Sequence, residues 1–394
     1  MSALTGIKVL ELAEGVAGEY CGKLLADFGA EIIKVEKPGS GSPTRQLGPF
    51  GAGDKSDGER SGLFAYLNTN KHSVTLDLAT ADGIATLDRL LAHVDVLIDD
   101  HNIEWLKNVG VDLEVIEQKQ PKLIVCSITP FGLAPPDQRK YAEDLTVFQS
   151  SGWGYHTPSG ADDSSKPPLK GAGRFLASYE AGIEASLCIV SSLYEREAST
   201  LGRVIEISKQ EVLASRIDYV LGQMIAGDMD VSTSRTQFDL AGPSGFFTCA
   251  DGYSYMWISA PSHWEALRQL LGNPEWMNSF PARWLELECT PERVKQCRHH
   301  VGEWLKTQNK HEAAAAAQKL GLTLVAVNNA KDLIESEQFQ FRQFFTEVKH
   351  PVLGAALYPT APYKLSETPP SISVPAPLLG QHTTKYLAKS GGVQ

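Results

Sequence analysis

Residues 10–37, "LELAEGVAGEYCGKLLADFGAEIIKVEK", carry the pattern that decides the fold. The apolar run "IKVLEL" (7–12) reads as a buried strand, "EYCGKLLADFG" (19–29) as a helix and "EIIKVEK" (31–37) as a second strand. The alternation continues downstream. "GIATLDRLLAHV" (83–94) reads as a helix, "DVLIDD" (95–100) as a strand, "LEVIEQKQ" (113–120) as a helix and "LIVCSIT" (123–129) as a strand. A long apolar run after Ser178 has helical spacing and leads to "RVIEISK" (203–209), another strand candidate. Short β-rich runs alternating with helices predict an α/β large domain, a parallel sheet with crossover helices.

The character changes near residues 225–250. "STSRTQFDLAGPSG" (232–245) is polar, and "FFTCADGYSYMWIS" (246–259) reads as a hairpin with Asp251-Gly252 at its turn. Helices are expected over 263–272, 291–308 and 311–321, the last from its alanine run. These segments describe a smaller α+β domain ending near "LTLVAVNN" (322–329). The proline-rich tail, "TAPYKLSETPPSISVPAPLLGQHTTKYL" (360–387), reads as extended wrapping. The expected division is 1–224 for the first part of the large domain, 225–330 for the small domain, and 331–394 for a return segment completing the large one.

Bulk properties narrow the function. At 394 residues the chain has room for two domains, and a net charge of −11 argues against nucleic-acid or anionic-membrane binding. Six cysteines without CxxC spacing read as reduced thiols of a cytoplasmic protein, with no metal site. No apolar run reaches membrane-spanning length, and the N-terminus lacks a signal-peptide pattern.

The opening stretch also tempts a dinucleotide reading, with Glu36 at the right distance for a ribose-binding acid. Its glycines, at 15, 18 and 22, give GxxGxxxG in place of the GxGxxG that a pyrophosphate turn uses. Close helix–strand packing accounts for Gly18 and Gly22 equally well.

"VAGEYCG" (16–22), "LLADFGAEIIKVE" (24–36), "KPGSGSPTR" (37–45), "LNTNKHSVTLDL" (67–78), "HVDVLIDD" (93–100), "PKLIVCSITPFG" (121–132) and "APLLGQHT" (376–383) occur in an order that resembles the family III CoA-transferases, the CaiB/BaiF family. The resemblance implies an interlocked dimer, each large domain built from both chain ends, with acyl-CoA and a carboxylic acid as substrates. It also implies an aspartate at the head of the long helix, in a D-x-x-x-G pattern. That carboxylate attacks the thioester to form a mixed anhydride and then carries the coenzyme.

In "RFLASYEAG" (174–182) the matching residues are Ser178 and Gly182. An acylated serine is an ordinary ester that a thiolate reopens poorly, and "FLASYE" is no GxSxG elbow. The simplest role for Ser178 is an N-cap. Glu180 takes over only if the register shifts.

By the same resemblance the first loop lies along coenzyme A, nominating Val16 and Ala17 for backbone contact, with Lys37, Arg45 and Lys71 as cations. Lys71 is equally readable as a solvated lysine. Other family cations are missing: "LDLA" ends in Ala79, and in "DDHNIEWLKNVG" (99–110) Asn102 and Asn108 stand for arginines. In that segment Asp99 keeps the family acid, while Asp100 and His101 replace an asparagine and an aromatic. An added carboxylate beside a polyphosphate repels it, an effect that Lys107 offsets in part.

"RKYAEDLTVFQSSG" (139–152) matches the segment where relatives approach the acyl group and where racemases carry a histidine in a "GHD" pattern. Glu143 and Asp144 stand there; read as a strand, at most one faces a pocket. One is a candidate general base, against the alternative of a solvated acid plus a helix cap. The histidines form no HExxH; His101 and His156 read as isolated surface or packing residues, and His299-His300 lacks an i, i+4 partner. The loop "QFDLAGPSG" (237–245) has fewer glycines than a mobile lid would carry.

Three expectations follow. The chain is a catalytically degenerate subunit of a heteromeric CoA-transferase; or an acyl-CoA isomerase, racemase-like enzyme or lyase using Glu143 or Asp144; or an ordinary homodimeric CoA-transferase.

Overall fold

A computed structural model describes residues 2–53, 57–133, 142–156, 173–217, 222, 225–227 and 242–387. The chain forms two compact units, residues 1–235 with 343–394, and residues 236–342.

The first unit holds a six-stranded parallel sheet of β1 (Lys8–Glu11), β2 (Glu31–Glu36), β3 (Lys71–Thr75), β4 (Val96–Asp99), β5 (Ile124–Thr129) and β6 (Val204–Ser208). Helices α1 (Val16–Asp27), α2 (Gly62–Leu67), α3 (Ala81–Leu91), α4 (Ile103–Asn108), α5 (Leu113–Lys119), α6 (Asp144–Ser150), α7 (Trp153–His156), α8 (Leu176–Ser199) and α9 (Lys209–Ala214) connect or follow the strands. The α/β alternation is the one expected. β3, inside "LNTNKHSVTLDL", carries no strong apolar run and gains its place by pairing with β2.

Strand alternation sorts the core into two faces. Val9, Ile32, Val96 and Ile124 pack under α1 and α8, against Cys21, Leu25, Ala181 and Ile189. Leu10, Ile33, Leu97 and Val125 face the opposite layer, with Leu87 of α3, Leu106 of α4 and Ile116 of α5.

The strand order is β3-β2-β1-β4-β5-β6. The chain winds outward from β1 to β3, then crosses back to place β4 on the other side of β1. The neighbours β1 and β4 therefore flank a topological switch point, where open parallel sheets leave a crevice at the carboxyl ends of their strands.

Three charged residues of "IKVLEL" and "EIIKVEK", Glu11, Lys34 and Glu36, turn into the protein, while Lys8 and Lys37 at the run ends stay exposed. Glu11, Glu19, Lys34 and Lys71 are all buried. Lys34 pairs with Glu11 and Glu19 at 3.0 Å each, and Lys71 pairs with Glu11 at 2.8 Å. Lys34 also donates to the Ala13 carbonyl and Lys71 to the Glu19 carbonyl, which ties α1 and the loop before it to the sheet. Gly22 admits this network, because a Cβ there would lie 1.8 Å from Glu11 Oε2.

The segment after residue 343 adds an antiparallel pair, β10 (Phe345–His350) with β11 (Gly354–Pro359), which the sequence pattern did not reveal. Beyond it the tail runs without regular structure and is pinned by hydrogen bonds. Ser371 N–H donates to the Asp27 carbonyl, Asn70 N–H to the Val374 carbonyl and Gly380 N–H to Ser73 Oγ. A short helix, Thr383–Leu387, follows.

The second unit contains the antiparallel sheet β7 (Gly245–Cys249), β8 (Gly252–Trp257) and β9 (Thr323–Val327). Cys249 pairs with Gly252, so the turn is Ala250-Asp251 and Gly252 opens the return strand at φ 151°. Helices Pro261–Leu270, Pro291–Leu305 and Lys310–Lys319 cover it around Trp264, Met277 and Trp284. The unit continues past β9 through helices Ala330–Glu335 and Glu337–Phe341. Of the loop at 237–245, residues 237–241 lie outside the described residues.

Candidate active site

Two clusters at the carboxyl ends of the strands hold the residues that the sequence singled out. The first surrounds Ser178. It is the third residue of α8, whose N-cap is Phe175 without a side-chain bond, so the N-cap expectation for Ser178 is corrected. The cap comes from elsewhere in the chain. Asp144 Oδ2 accepts the Ser178 N–H at 2.9 Å, and Asp144 Oδ1 accepts the Ser178 hydroxyl at 2.7 Å. A carboxylate at a helix head satisfies an orphan amide and sits favourably against the helix dipole.

Asp144 reaches this position because it opens α6; Glu143 and Asp144 lie at a helix start rather than on a strand. Glu143 occupies the N-cap position of α6, makes no side-chain cap bond and is exposed. Lys209 completes the cluster. Its Nζ donates to Ser178 Oγ at 3.0 Å and lies 3.5 Å from Asp144 Oδ1. Sequence reasoning missed Lys209; the available signal was its position directly after β6, at the edge where parallel sheets gather their sites. Glu180 points into an ion pair with Arg216 at 2.9 Å.

One turn beyond Ser178, Gly182 lets α8 approach α1. A Cβ at Gly182 would lie 2.7 Å from the Ala17 carbonyl oxygen. Val16 and Ala17 are both buried in the first turn of α1, Ala17 with its carbonyl against α8.

The second cluster lies at the switch point. Asp100, directly after β4, turns its carboxylate onto the loop that follows β1. Oδ1 accepts the Glu14 N–H at 2.9 Å and Oδ2 accepts the Gly15 N–H at 2.7 Å. His101 is neither isolated nor a surface residue. Its ring bonds Asp99 Oδ1 at 2.7 Å and Glu14 Oε2 at 3.4 Å, and it stacks on Trp105 with centroids 3.6 Å apart. Burial pushes the imidazole down, but the Asp99 and Glu14 carboxylates outweigh it and hold the pKa at about 10.

The expected cations are placed differently from one another. Lys37 is exposed at the end of β2. Arg45 is 1% exposed and grips Glu36 through Nε and Nη2, Glu59 through Nη1 and the Pro377 carbonyl. Burial raises Glu36, but Arg45 outweighs it and holds that carboxyl at about 2. Glu36 is thus consumed by internal bonds, which removes the ribose-binding role that the dinucleotide reading gave it. Lys71 is buried in its pair with Glu11, so the solvated-lysine reading is corrected. The side chain of His156 lies outside the described residues.

Among the described residues no group of three or more His, Cys, Asp or Glu side chains is set to hold a metal ion, and no helix is long and apolar enough to cross a membrane. All six cysteines are free thiols.

Comparison with known proteins gives a consistent result. Residues 4–383 match the family described as CoA-transferase family III. The chain is 29% identical over 381 residues to the succinyl-CoA–D-citramalate CoA-transferase of Chloroflexus aurantiacus, covering 96% of this chain and 92% of the relative. It is 29% identical over 412 residues to the formyl-CoA:oxalate CoA-transferase of Bradyrhizobium diazoefficiens, covering 98% and 92%. Its fold superposes on the crystal structure of a CaiB/BaiF family protein from Brucella suis with a TM-score of 0.83 at 25% identity, covering 98% of this chain and 99% of that one.

Proposed function

The chain belongs to CoA-transferase family III, and we propose that within it the chain is the non-nucleophilic subunit of a heteromeric CoA-transferase. In this reading a paralogous partner, interlocked with it, supplies the aspartate and the coenzyme pocket. The reading comes with a cytoplasmic setting in acyl-CoA and carboxylic-acid metabolism.

One observation carries the reading. The Ser178 hydroxyl spends its proton on Asp144 and accepts a hydrogen bond from Lys209, 2.7 and 3.0 Å away. Such contacts can activate a hydroxyl, but attack by this one yields an ordinary ester in place of the anhydride and coenzyme thioester that a carboxylate forms. That ester returns coenzyme thiolate slowly. The residues expected to meet the coenzyme phosphates add support. Of the three cations nominated for the coenzyme, Arg45 and Lys71 are committed to Glu36, Glu59 and Glu11, and exposed Lys37 forms no ion pair among the described residues; Lys107, the partial offset, is exposed on α4.

The experiment is direct: the purified chain is mixed with a radiolabelled acyl-CoA and an acceptor acid. The reading expects no transfer by the chain alone and transfer once a competent paralogue is added. Turnover by the chain alone overturns it.

A second reading draws on the same contact. Asp144 places a carboxylate 2.7 Å from the position where relatives keep their aspartate. That is where a general base of an isomerase, racemase-like enzyme or lyase would stand. It requires activity that Asp144→Asn abolishes; Glu143, exposed and making no side-chain cap bond, is not expected to matter.

A further inference from the structure

The crevice at the β1–β4 switch point is the place where a parallel sheet of this order receives a phosphate-bearing ligand. In this chain the place is filled from within. The Asp100 carboxylate bonds the two backbone amides that lead into α1, and it lies over Gly15 of the loop and near Gly18 in the first turn of α1. A Cβ at Gly15 would come within 2.7 Å of Asp100 Oδ2, and one at Gly18 within 3.3 Å. The bare backbone of Gly15 lets the Asp100 carboxylate come this close, while Gly18 is required first by the Ala13 side chain, 2.2 Å from where its Cβ would lie.

We propose that Asp100 is a built-in anion that closes this crevice to the diphosphate of coenzyme A. The donors that a diphosphate would use are already satisfied by a group of the same charge sign. A ligand would have to displace Asp100 and then tolerate its displaced charge nearby.

The neighbouring groups hold the plug in place. The next residue, His101, is clamped between Asp99 and Glu14 and stacked on Trp105, which fixes the backbone from which Asp100 projects. Glu14, whose amide Asp100 holds, is also the partner of His101, so loop and plug are joined twice. The neighbouring cations are already engaged: protonated His101 is shared between Asp99 and Glu14, and Lys34 is taken up by Glu11, Glu19 and the Ala13 carbonyl.

The proposal rests on the family reading in one respect, that the coenzyme diphosphate would enter at the β1 loop. It does not depend on Ser178.

The test is isothermal titration of the full chain with free coenzyme A, for wild type, Asp100→Asn and Asp100→Gly, with thermal melts to establish that each is folded. Asp100→Asn keeps the shape and removes the charge; Asp100→Gly opens the crevice as well. Wild type is expected to bind most weakly, with both variants gaining about tenfold or more. Equal affinity of wild type and Asp100→Asn overturns the proposal, even if Asp100→Gly fails to fold. The outcomes separate from those of the subunit reading. A chain that binds coenzyme A tightly but never turns over overturns the plug alone. A chain that turns over unaided while gaining affinity as Asp100→Asn overturns the subunit reading alone.

Discussion

The Asp144 carboxylate holds both the amide and the hydroxyl of Ser178, at 2.9 and 2.7 Å, across 34 residues of sequence. It is a helix cap delivered by another helix. Asp144→Ala is expected to cost about 1–2 kcal/mol of unfolding free energy, read from urea denaturation, the range for lost caps with a charged acceptor. Asp144→Asn should cost less, since its amide oxygen still accepts one bond. A loss equal to that of a surface substitution would mean that the cap contributes nothing.

Ser178→Asp installs the residue type that the family resemblance implies at this position but puts a second carboxylate beside Asp144, with one lysine to share. With the crevice blocked by Asp100, this variant alone is expected to remain inactive in the radiolabelled acyl-transfer assay. Its melting temperature should fall, because like charges at this separation repel. Transfer activity in the single variant would show that the coenzyme already has a seat.

Lys71 and Lys34 hold Glu11 and Glu19 in a site without water contact. Lys71→Met leaves the shape nearly unchanged and strands Glu11 with one partner. It should cost about 3–5 kcal/mol in denaturant unfolding, the penalty for breaking a buried pair from one side. Gly22→Ala should be comparably damaging, since its methyl group would occupy the place of Glu11 Oε2. A mild effect of either change would mean that the network rearranges.

Acid should loosen the tail. Burial, with Lys385 and His382 close by, pushes the His72 imidazole down to about 4 against the pull of Glu31. Burial and Lys385 also lower His382, which packs on His72 with ring centroids 4.5 Å apart. Tyr386 bonds His72 Nδ1 at 2.6 Å. A histidine depressed in the fold binds fewer protons than in the unfolded chain. Its stabilisation is therefore whole above about pH 6.5 and drains away as pH falls toward about 4. Melting temperature should drop across that window, and His72→Gln should flatten the drop.

His101 runs the other way. Its folded pKa stands at about 10, above the unfolded value, so its contribution is whole below about pH 6.5 and is lost as pH rises through about 10. His101→Gln should lower stability most at neutral pH and least at the alkaline end, measured by urea denaturation across that range. A constant difference would assign His101 a packing role only.

Much of the fold was legible in local pattern. The runs at β4 and β5 are largely apolar because both sheet faces are covered, β1 and β2 keep apolar centres between charged residues, and the intervening helices carry an apolar stripe. β3 and the β10–β11 pair escaped because their stability comes from strand partners and tail contacts, not from their own composition. The charges inside β1 and β2 were visible as letters, but nothing local says that Glu11 and Lys34 face each other across a parallel ladder.

The sequence by itself determined the family, the α/β alternation and the absence of an acid at position 178. Only the tertiary structure decided what stands beside that serine and what fills the loop before α1. Strand order brings β1 next to β4 and β6 next to β5, so Asp100 meets Gly15 and Lys209 meets Ser178 although 85 and 31 residues separate them. Hydrogen bonds and charge act over a few ångströms of space, and the distance along a chain carries no record of that proximity.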